Sequence, residues 1–497
     1  IMWSGLGRSG RVLWSVRNRF CQWSRGFTTI GSHKDTDTIY ALCSGQMVKC
    51  GVSVIRISGS NAFDAVKRMT SEHSAFPEFR KAVVRNILDV DTKEVIDKGM
   101  VICFDEGSSY TDEKVVEFHL HGSPAVVAAT LKSLSRIPLF RSANPGEFTK
   151  RAFLNGKMSF VEVEALGDLL NAETELQRKQ AMRGVNGELV DKCWKWRSTL
   201  MRSLAHAETL LDFADDVDED AELLEEATPE LTGIRGEMER LLSGFDNAQL
   251  VRNGVRVTLC GRPNAGKSSL LNVLVGSELA IVSSAPGTTR DVLRADMDLG
   301  GCKVMLQDTA GLRAAGDEVE REGVSRAVAA ARGSWLRLVI VDVTGDVCAD
   351  AADVLREVSA EMAIVVMNKI DQVSPEVVKK KEAALRQRFP EVRNVLAISC
   401  KRPESVSCVT HQLESCVKEL LSQESEATDL ITRERQRNCL QQCVLSLTNC
   451  INLGKENLVD LQAEELRMCL KSLAQLTGEV DVEEILDIVF SEFCIGK

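Results

Sequence analysis

Residues 261–268, Gly261-Arg-Pro-Asn-Ala-Gly266-Lys267-Ser268, constrain this chain more than any other stretch. They fit the pattern Gly-x4-Gly-Lys-Ser/Thr. The run VRVTLC (255–260) before them reads as a buried strand, and SLLNVLVG (269–276) after them reads as a helix. That is the setting a phosphate-binding loop requires. Its glycines let backbone N–H groups wrap phosphate oxygens at a helix N-terminus. Lys267 is placed to reach the β- and γ-phosphates, and the Ser268 hydroxyl to bind Mg2+. Further strand-like runs, KVMLQD (303–308), LRLVIVDV (336–343), MAIVVM (362–367) and VLAIS (395–399), alternate with helical segments. The alternation predicts a mainly parallel sheet covered on both faces.

Four further motifs follow in order. Gly287-Thr288-Thr289-Arg-Asp291 can bring the Thr289 hydroxyl to Mg2+. Asp308-Thr309-Ala310-Gly311 closes a strand, so its carboxylate can hold the water shell of the metal and its glycine N–H can sense the γ-phosphate. Asn368-Lys369-Ile-Asp371 follows another strand. A carboxylate there accepts two hydrogen bonds from the N1–H and N2–H2 edge of guanine, a pair that adenine lacks. Ser399-Cys400-Lys401 can complete the base pocket. With Asn264, Ala265, Gly266 and Ser269 from the loop itself, these residues predict a GTP-binding domain. Leu312 stands where small signalling GTPases carry a water-orienting glutamine. Leucine cannot position water, so another residue must. Asn264 has two readings at this point, a ligand for a cation near the phosphates or a loop-stabilising amide.

Composition bounds the rest. A 497-residue chain with 44% hydrophobic and 27% charged residues is globular stock for about three domains. A net charge of −11 argues against a protein held to nucleic acid by bulk electrostatics and leaves room only for a local basic patch. No apolar run approaches the ~18 residues of a membrane span. The 16 cysteines show no zinc spacing and read as reduced core thiols, with Cys494 set apart. Residues 1–34 carry Arg8, Arg11, Arg17, Arg19 and Arg25 among apolar residues, with no acid before Asp35. That pattern predicts a mitochondrial transit peptide, the alternative being a disordered basic tail. Ile1 before Met2 points to a fragment or an upstream start.

Residues 35–157 hold Val- and Ile-rich strands such as GVSVIRISG (51–59) and KVVEFHLHG (114–122) with a proline-entered helix from Pro124, an α+β domain. Residues 158–250 and 406–497 are helical, so the α/β unit, 251–405, is expected to be inserted in a helical domain. The acidic stretch Asp215, Asp216, Asp218, Glu219 and Asp220 reads as a solvated connection or as a contact for a basic partner.

GRPNAGKSS, IVSSAPGTTRDVL, DTAGLR with DEVEREGVSR, SVIRISG, NPGEFTKRAFLNGK and the terminal Phe493-Cys494-Ile495-Gly496-Lys497 together resemble the MnmE (TrmE) family of tRNA-modifying GTPases, over residues 38–497. With the Arg-rich start, the chain resembles the mitochondrial member. The resemblance implies an N-terminal α+β domain that dimerises and binds a formyl- or methylene-tetrahydrofolate, a helical domain, and an inserted GTPase domain. It implies a homodimer, a FAD- and NADH-dependent partner of the MnmG type, transient tRNA binding, and a carboxymethylaminomethyl- or taurinomethyl-type group installed at C5 of wobble uridine. It implies GTP hydrolysis activated by K+ and by juxtaposed GTPase domains. Asn264, Ser283, Ala285 and Thr288 match the ligands of K+, and Glu320 matches the residue that orients the attacking water, acting with Lys267 and Thr289. Arg56, Glu117, Lys157 and Lys497 match the folate contacts. SGQMVKCG (44–51) and His121-Gly122-Ser123 depart from the bacterial pattern beside that pocket, and the role of Cys494 stays open. Two other readings are a ribosome-assembly GTPase of the same class and a non-catalytic GTP-dependent scaffold.

Overall fold

The fold is described from a computed structural model, over residues 37–45, 48–71, 75–212, 221–276, 279–281, 294–308, 334–356, 362–421, 430–456, 458–480, 486, 489–490 and 493–496. The expected transit segment and the acidic stretch lie outside the described residues. The chain divides into two compact units, one running to Gly167 and resuming at Thr477, the other running from Asp168 to Leu476.

In the first unit, β1 (Thr38–Leu42), β2 (Cys50–Ser58), α1 (Ala62–Met69), β3 (Val83–Leu88), β4 (Val95–Phe104), β5 (Val115–Gly122), α2 (Pro124–Leu134) and β6 (Phe140–Ser142) form a sheet ordered β3-β4-β5-β2-β1-β6 with two covering helices. The β1/β6 pair is parallel and the others antiparallel. Side chains alternate along each strand. Ile55 and Ile57 of β2, with Val116, Phe118 and Leu120 of β5, point into a core closed by Ala65, Val66 and Met69 of α1 and Val127 and Leu134 of α2. The intervening Arg56 and Glu117 therefore project from the opposite face, and the ladder sets them directly across from each other. Helices α3 (Glu147–Leu154) and α4 (Phe160–Leu170) follow. Phe153 and Phe160 pack edge to face and share a cluster with Leu486, Phe490 and Phe493. The C-terminal segment thus completes the core of the first unit. The chain reaches α3 through Gly146, whose left-handed backbone and close approach to Phe490 O leave no room for a side chain. Beside it, buried Arg151 pairs with Glu147 and Glu113, and Arg141 pairs with Glu147.

In the second unit, α5 (Glu175–Val185), α6 (Glu188–Asp212), α7 (Ala221–Ser243) and α8 (Phe245–Asn253) lead into the α/β part. There β7 (Val255–Cys260), α9 (Lys267–Val275), β8 (Arg294–Leu299), β9 (Cys302–Asp308), β10 (Leu336–Asp342), α10 (Val347–Leu355), β11 (Ala363–Asn368), α11 (Pro375–Arg388), β12 (Asn394–Ala397) and α12 (Ser407–Leu421) build a sheet ordered β12-β11-β10-β7-β9-β8. All pairs are parallel except β8 with β9, a hairpin that the run-by-run reading of the sequence lacks. The six residues of β11 are buried throughout, as expected of a strand covered on both faces. Helices α9 and α12 cover one face, α10 and α11 the other. Helices α13 (Glu434–Gly454) and α14 (Val459–Thr477) complete the helical part. Asp168 accepts hydrogen bonds from Arg252 Nε at 2.9 Å and Arg433 Nη2 at 2.8 Å, which fastens together the segments entering and leaving the α/β part. Cys193, Cys443, Cys450 and Cys469 are buried thiols among these helices, in keeping with cysteine used as a small core residue. Among the described residues no helix is long and apolar enough to cross a membrane.

Candidate functional site

The carboxyl ends of parallel strands are where an open α/β sheet binds its ligand. β7 ends at Cys260, and Gly261 turns the chain so tightly that an added methyl would run into Ile340 O. Asn264 and Gly266 take left-handed backbone, with φ of 64° and 99°, and α9 then starts at Lys267. This curls the loop residues 261–266 around the N-terminus of α9. Lys267 is buried and donates through Nζ to Gly261 O at 2.8 Å and Arg262 O at 3.0 Å. The Ser268 hydroxyl donates to Asp308 Oδ2 at 2.7 Å, and Ser269 follows in the same turn. A hydroxyl from the first turn of α9 and a carboxylate from the end of β9 are hard oxygen donors, the type that Mg2+ takes.

The residues expected to read the base stand at the ends of β11 and β12. Asn368 is buried, and both ends of its amide are used. Its Nδ2 donates to Ala265 O at 3.0 Å, while its Oδ1 accepts from Lys369 N at 2.8 Å and Cys400 N at 3.3 Å. Lys369 donates to Asn264 O at 2.8 Å and to Asp342 Oδ2 at 2.6 Å. Ser399 Oγ donates to Asp371 Oδ1 at 2.7 Å, and Lys401 Nζ lies 3.4 Å from Asp371 Oδ2. The hydrogen bond from Ser399 holds the Asp371 carboxyl below its ordinary range, so it is an ionised acceptor at neutral pH. Loop, base corner and Asp308 therefore meet at one sheet edge, as a guanine nucleotide needs. Asp342 and Ile340 shape that edge without a motif to announce them. The sequence signal for Asp342 is an acid closing the apolar run LRLVIV. Ser283, Ala285, Gly287, Thr288, Thr289, Thr309, Ala310, Gly311 and Glu320 lie outside the described residues.

The first unit carries a second polar cluster. Arg56 donates through Nε to Glu117 Oε1 at 3.0 Å, with Nη2 also 3.0 Å from that oxygen, and each side chain is 16% exposed. The guanidinium sits 5.1 Å from the ring centroid of Tyr110 and 5.8 Å from that of Phe148. His119 Nε2 lies 3.3 Å from Glu117 Oε2. Burial raises the Tyr110 phenol above its usual range, and its hydroxyl is hydrogen-bonded with Thr149 at 2.8 Å. A carboxylate and a guanidinium beside aromatic rings suit a flat heterocycle carrying an amide edge. Lys157 is not in contact with the Arg56–Glu117 pair. It pairs with Asp112 at 3.3 Å and donates to Gly107 O at 2.9 Å, on the loop that also carries Tyr110. The tail arrives next to β1: Cys43 Sγ donates to Gly496 O at 2.9 Å, and Gly146 N donates to Cys494 O at 3.5 Å. β1 is the ladder neighbour of Arg56, through Ala41. Cys494 is exposed, and Lys497 lies outside the described residues. Tyr110, Phe148, His119 and Cys43 have no signal in the sequence alone, because only the strand register and the course of the tail bring them here.

Residues 38–157 match the family described as the GTP-binding protein TrmE N-terminus, and residues 160–494 match the MnmE helical domain. The chain is 42% identical over 463 residues to the tRNA modification GTPase MnmE of Paramagnetospirillum magneticum, covering 93% of this chain and 100% of that protein. It is 39% identical over 472 residues to the mitochondrial 5-taurinomethyluridine-tRNA synthase subunit GTPB3 of Danio rerio, covering 93% of both chains. It is 38% identical over 508 residues to the corresponding GTPB3 of Homo sapiens, covering 100% of each.

Proposed function

The chain belongs to the MnmE (TrmE) family of tRNA-modification GTPases, and from that membership we propose that it hydrolyses GTP to drive modification of the wobble uridine of mitochondrial tRNA. The observation that carries the reading is the brace from Asn368 to Ala265, which joins the guanine-reading corner to the phosphate loop. Asp371, ionised and aimed by Ser399, accepts from the base edge. Lys267 exchanges its two carbonyl partners for phosphate oxygens when nucleotide enters. Ser268 and Thr289 would hold Mg2+, and Asn264, Ser283, Ala285 and Thr288 would hold K+, the two cations supplying positive charge against the phosphates. Glu320 orients the attacking water in place of the glutamine that Leu312 replaces.

In the first unit, Arg56 and Glu117 would hold the pterin of a formyl- or methylene-tetrahydrofolate, with Lys157 and Lys497 for its carboxylate tail. The folate, when bound, supplies a one-carbon unit for the C5 substituent, of taurinomethyl or carboxymethylaminomethyl type. The chain works as a homodimer with a FAD- and NADH-dependent partner of the MnmG type, in the mitochondrion. The relatives named for GTPB3 support that address.

The test is nucleoside analysis of mitochondrial tRNA from cells lacking the protein, complemented with wild type or Glu320→Ala. Loss of the C5 substituent, restored by wild type and not by a variant whose turnover falls ~10²–10⁴-fold at unchanged GTP affinity, is the expected result. A fully modified wobble uridine in the deficient cells would refute the assignment.

A further inference from the structure

Helix α6 presents two different faces. Leu189, Cys193, Trp196, Leu200, Leu204 and Ala207 are buried on one, at the 3.6-residue spacing of a core-facing helix. The chain from Lys192 to Ala207 carries Lys192, Lys195, Arg197 and Arg202 and no carboxylate; Lys192 and Arg197 are half-buried and flank the core face, Lys195 and Arg202 lie opposite it, and exposed Asp191 stands one turn before Lys195. In a chain with a net charge of −11, this is a local reversal of sign. Lys195, Arg202 and His206 are exposed and share one row of the helix. The adjoining row holds Trp194 and Met201, which are 42% and 45% exposed, with small Ser198 between them and small Ala205 beyond. The Arg197 guanidinium lies 5.8 Å from the Trp194 ring centroid and backs the indole from one side. From Lys195 to His206 the row is about 17 Å long at 1.5 Å per residue.

Such a face is poor as a solvated surface and poor as a protein–protein core. Tryptophan is among the residues least often left in water, and a row of like-charged cations would need a strongly acidic partner. Arg202 does meet Glu230, at 3.4 Å, but both side chains are more than half exposed, and a pair of that kind yields to a stronger anion at little cost. Glu208, which ends the acid-free stretch, is turned to Arg467 of α14 at 3.1 Å. An exposed indole beside phosphate-binding cations is the arrangement that takes unpaired nucleotides, with stacking on the ring and counterion release along the row.

We propose that this face of α6 is an RNA-contact surface, on which Trp194 stacks against an unpaired base while Lys195 and Arg202 hold backbone phosphates. The inference rests on the tRNA-modification reading for the identity of the RNA. It assigns RNA binding to residues outside both polar sites described above.

The experiment uses the full chain and a transcribed tRNA with an unmodified wobble uridine. Affinity is measured by fluorescence anisotropy across a salt series. Trp194→Ala should weaken binding roughly tenfold at every salt concentration, because base–ring stacking is sequence-tolerant and non-ionic. Trp194→Phe, which keeps a stacking face, should recover most of it. Lys195→Glu with Arg202→Glu should lower the slope of log affinity against log salt by about two, one for each phosphate no longer neutralised. Basal GTP hydrolysis should be unchanged in all three, which also reports that they are folded. Unchanged affinity and salt slope in Trp194→Ala and in the charge reversal would overturn the surface. So would variants that keep tRNA affinity and lose only the flavin-dependent partner, which would give this face to a protein. Either result leaves the tRNA-modification reading standing, since that reading falls only if the wild-type chain fails to restore the modified nucleoside.

Discussion

The corner proposed to read guanine and the Arg56–Glu117 cluster are both small groups of charged and amide side chains, yet they are built on opposite principles. The corner lies where parallel strands end. Asn368, Lys369 and Asp371 follow one strand and Ser399, Cys400 and Lys401 another, so each set is contiguous in sequence and fixed by its own backbone. The cluster lies in mid-strand of an antiparallel ladder. Arg56 and Glu117 are opposite each other only because seven consecutive residue pairs of β2 and β5, from Val52–His121 to Ser58–Val115, hold that register. A one-residue slip of either strand would send its member of the pair to the core face and part the two. Strand ends therefore give motifs, and strand centres give constellations that depend on the whole sheet.

The largest expected effect tests the rigidity of the corner. Gly266→Ala drives a methyl into Asn368 Nδ2, at a backbone φ of 99° that disfavours alanine. The brace to Ala265 must break, and GTP affinity, read with a fluorescent analogue, should fall by more than ~100-fold. Wild-type affinity would show that loop and corner are not one solid.

Next comes Asp371→Asn. Two charge-assisted hydrogen bonds to the base are lost, so GTP affinity should fall roughly 30- to 100-fold, and preference should shift toward xanthosine triphosphate in a competition assay. The same residue gives a pH test. The Ser399 hydrogen bond lowers the carboxyl pKa, so its contribution is fully present above the ordinary carboxylate range and disappears only as pH falls through the lowered value. In Ser399→Ala the loss of GTP affinity should begin at a higher pH than in wild type. Coincident profiles would remove Ser399 from this role.

The smallest effect belongs to the ladder. Glu117→Gln keeps shape and register and removes one charge. Binding of 5-formyltetrahydrofolate, followed by calorimetry, should weaken about tenfold, with GTP affinity unmoved. A fall in both would mean that the cluster is structural and that the two sites are not independent.

The same contrast explains what is legible beforehand. The phosphate loop, the base motifs and the buried runs of the parallel sheet are local in sequence, and the structure places β7, β9, β10, β11 and β12 on those runs. β1, β6 and β8 escape such a reading because they are short or amphipathic, and their pairing is decided by neighbours far along the chain. Arg56 and Glu117 carry no sign of function as isolated charges and are expected at the folate only through the family resemblance. Tyr110 and Phe148 under the guanidinium, and Cys43 against Gly496, require the loop after β4 and the course of the tail, which no spacing encodes.

The aromatic cluster of Phe153, Phe160, Phe490 and Phe493 has a consequence for the order in which the protein is made. Its two halves are separated in sequence by the whole of the second unit. A ribosome adds about 5–20 residues per second, so on the order of half a minute passes between the emergence of Phe160 and that of Phe493. Through that interval the nascent first unit shows an unfinished apolar face while the α/β part is free to fold behind it. Chaperone capture of stalled chains should accordingly concentrate on α3 and α4, and release should follow translation of the segment that carries Phe490 and Phe493 rather than that of the GTP-binding part.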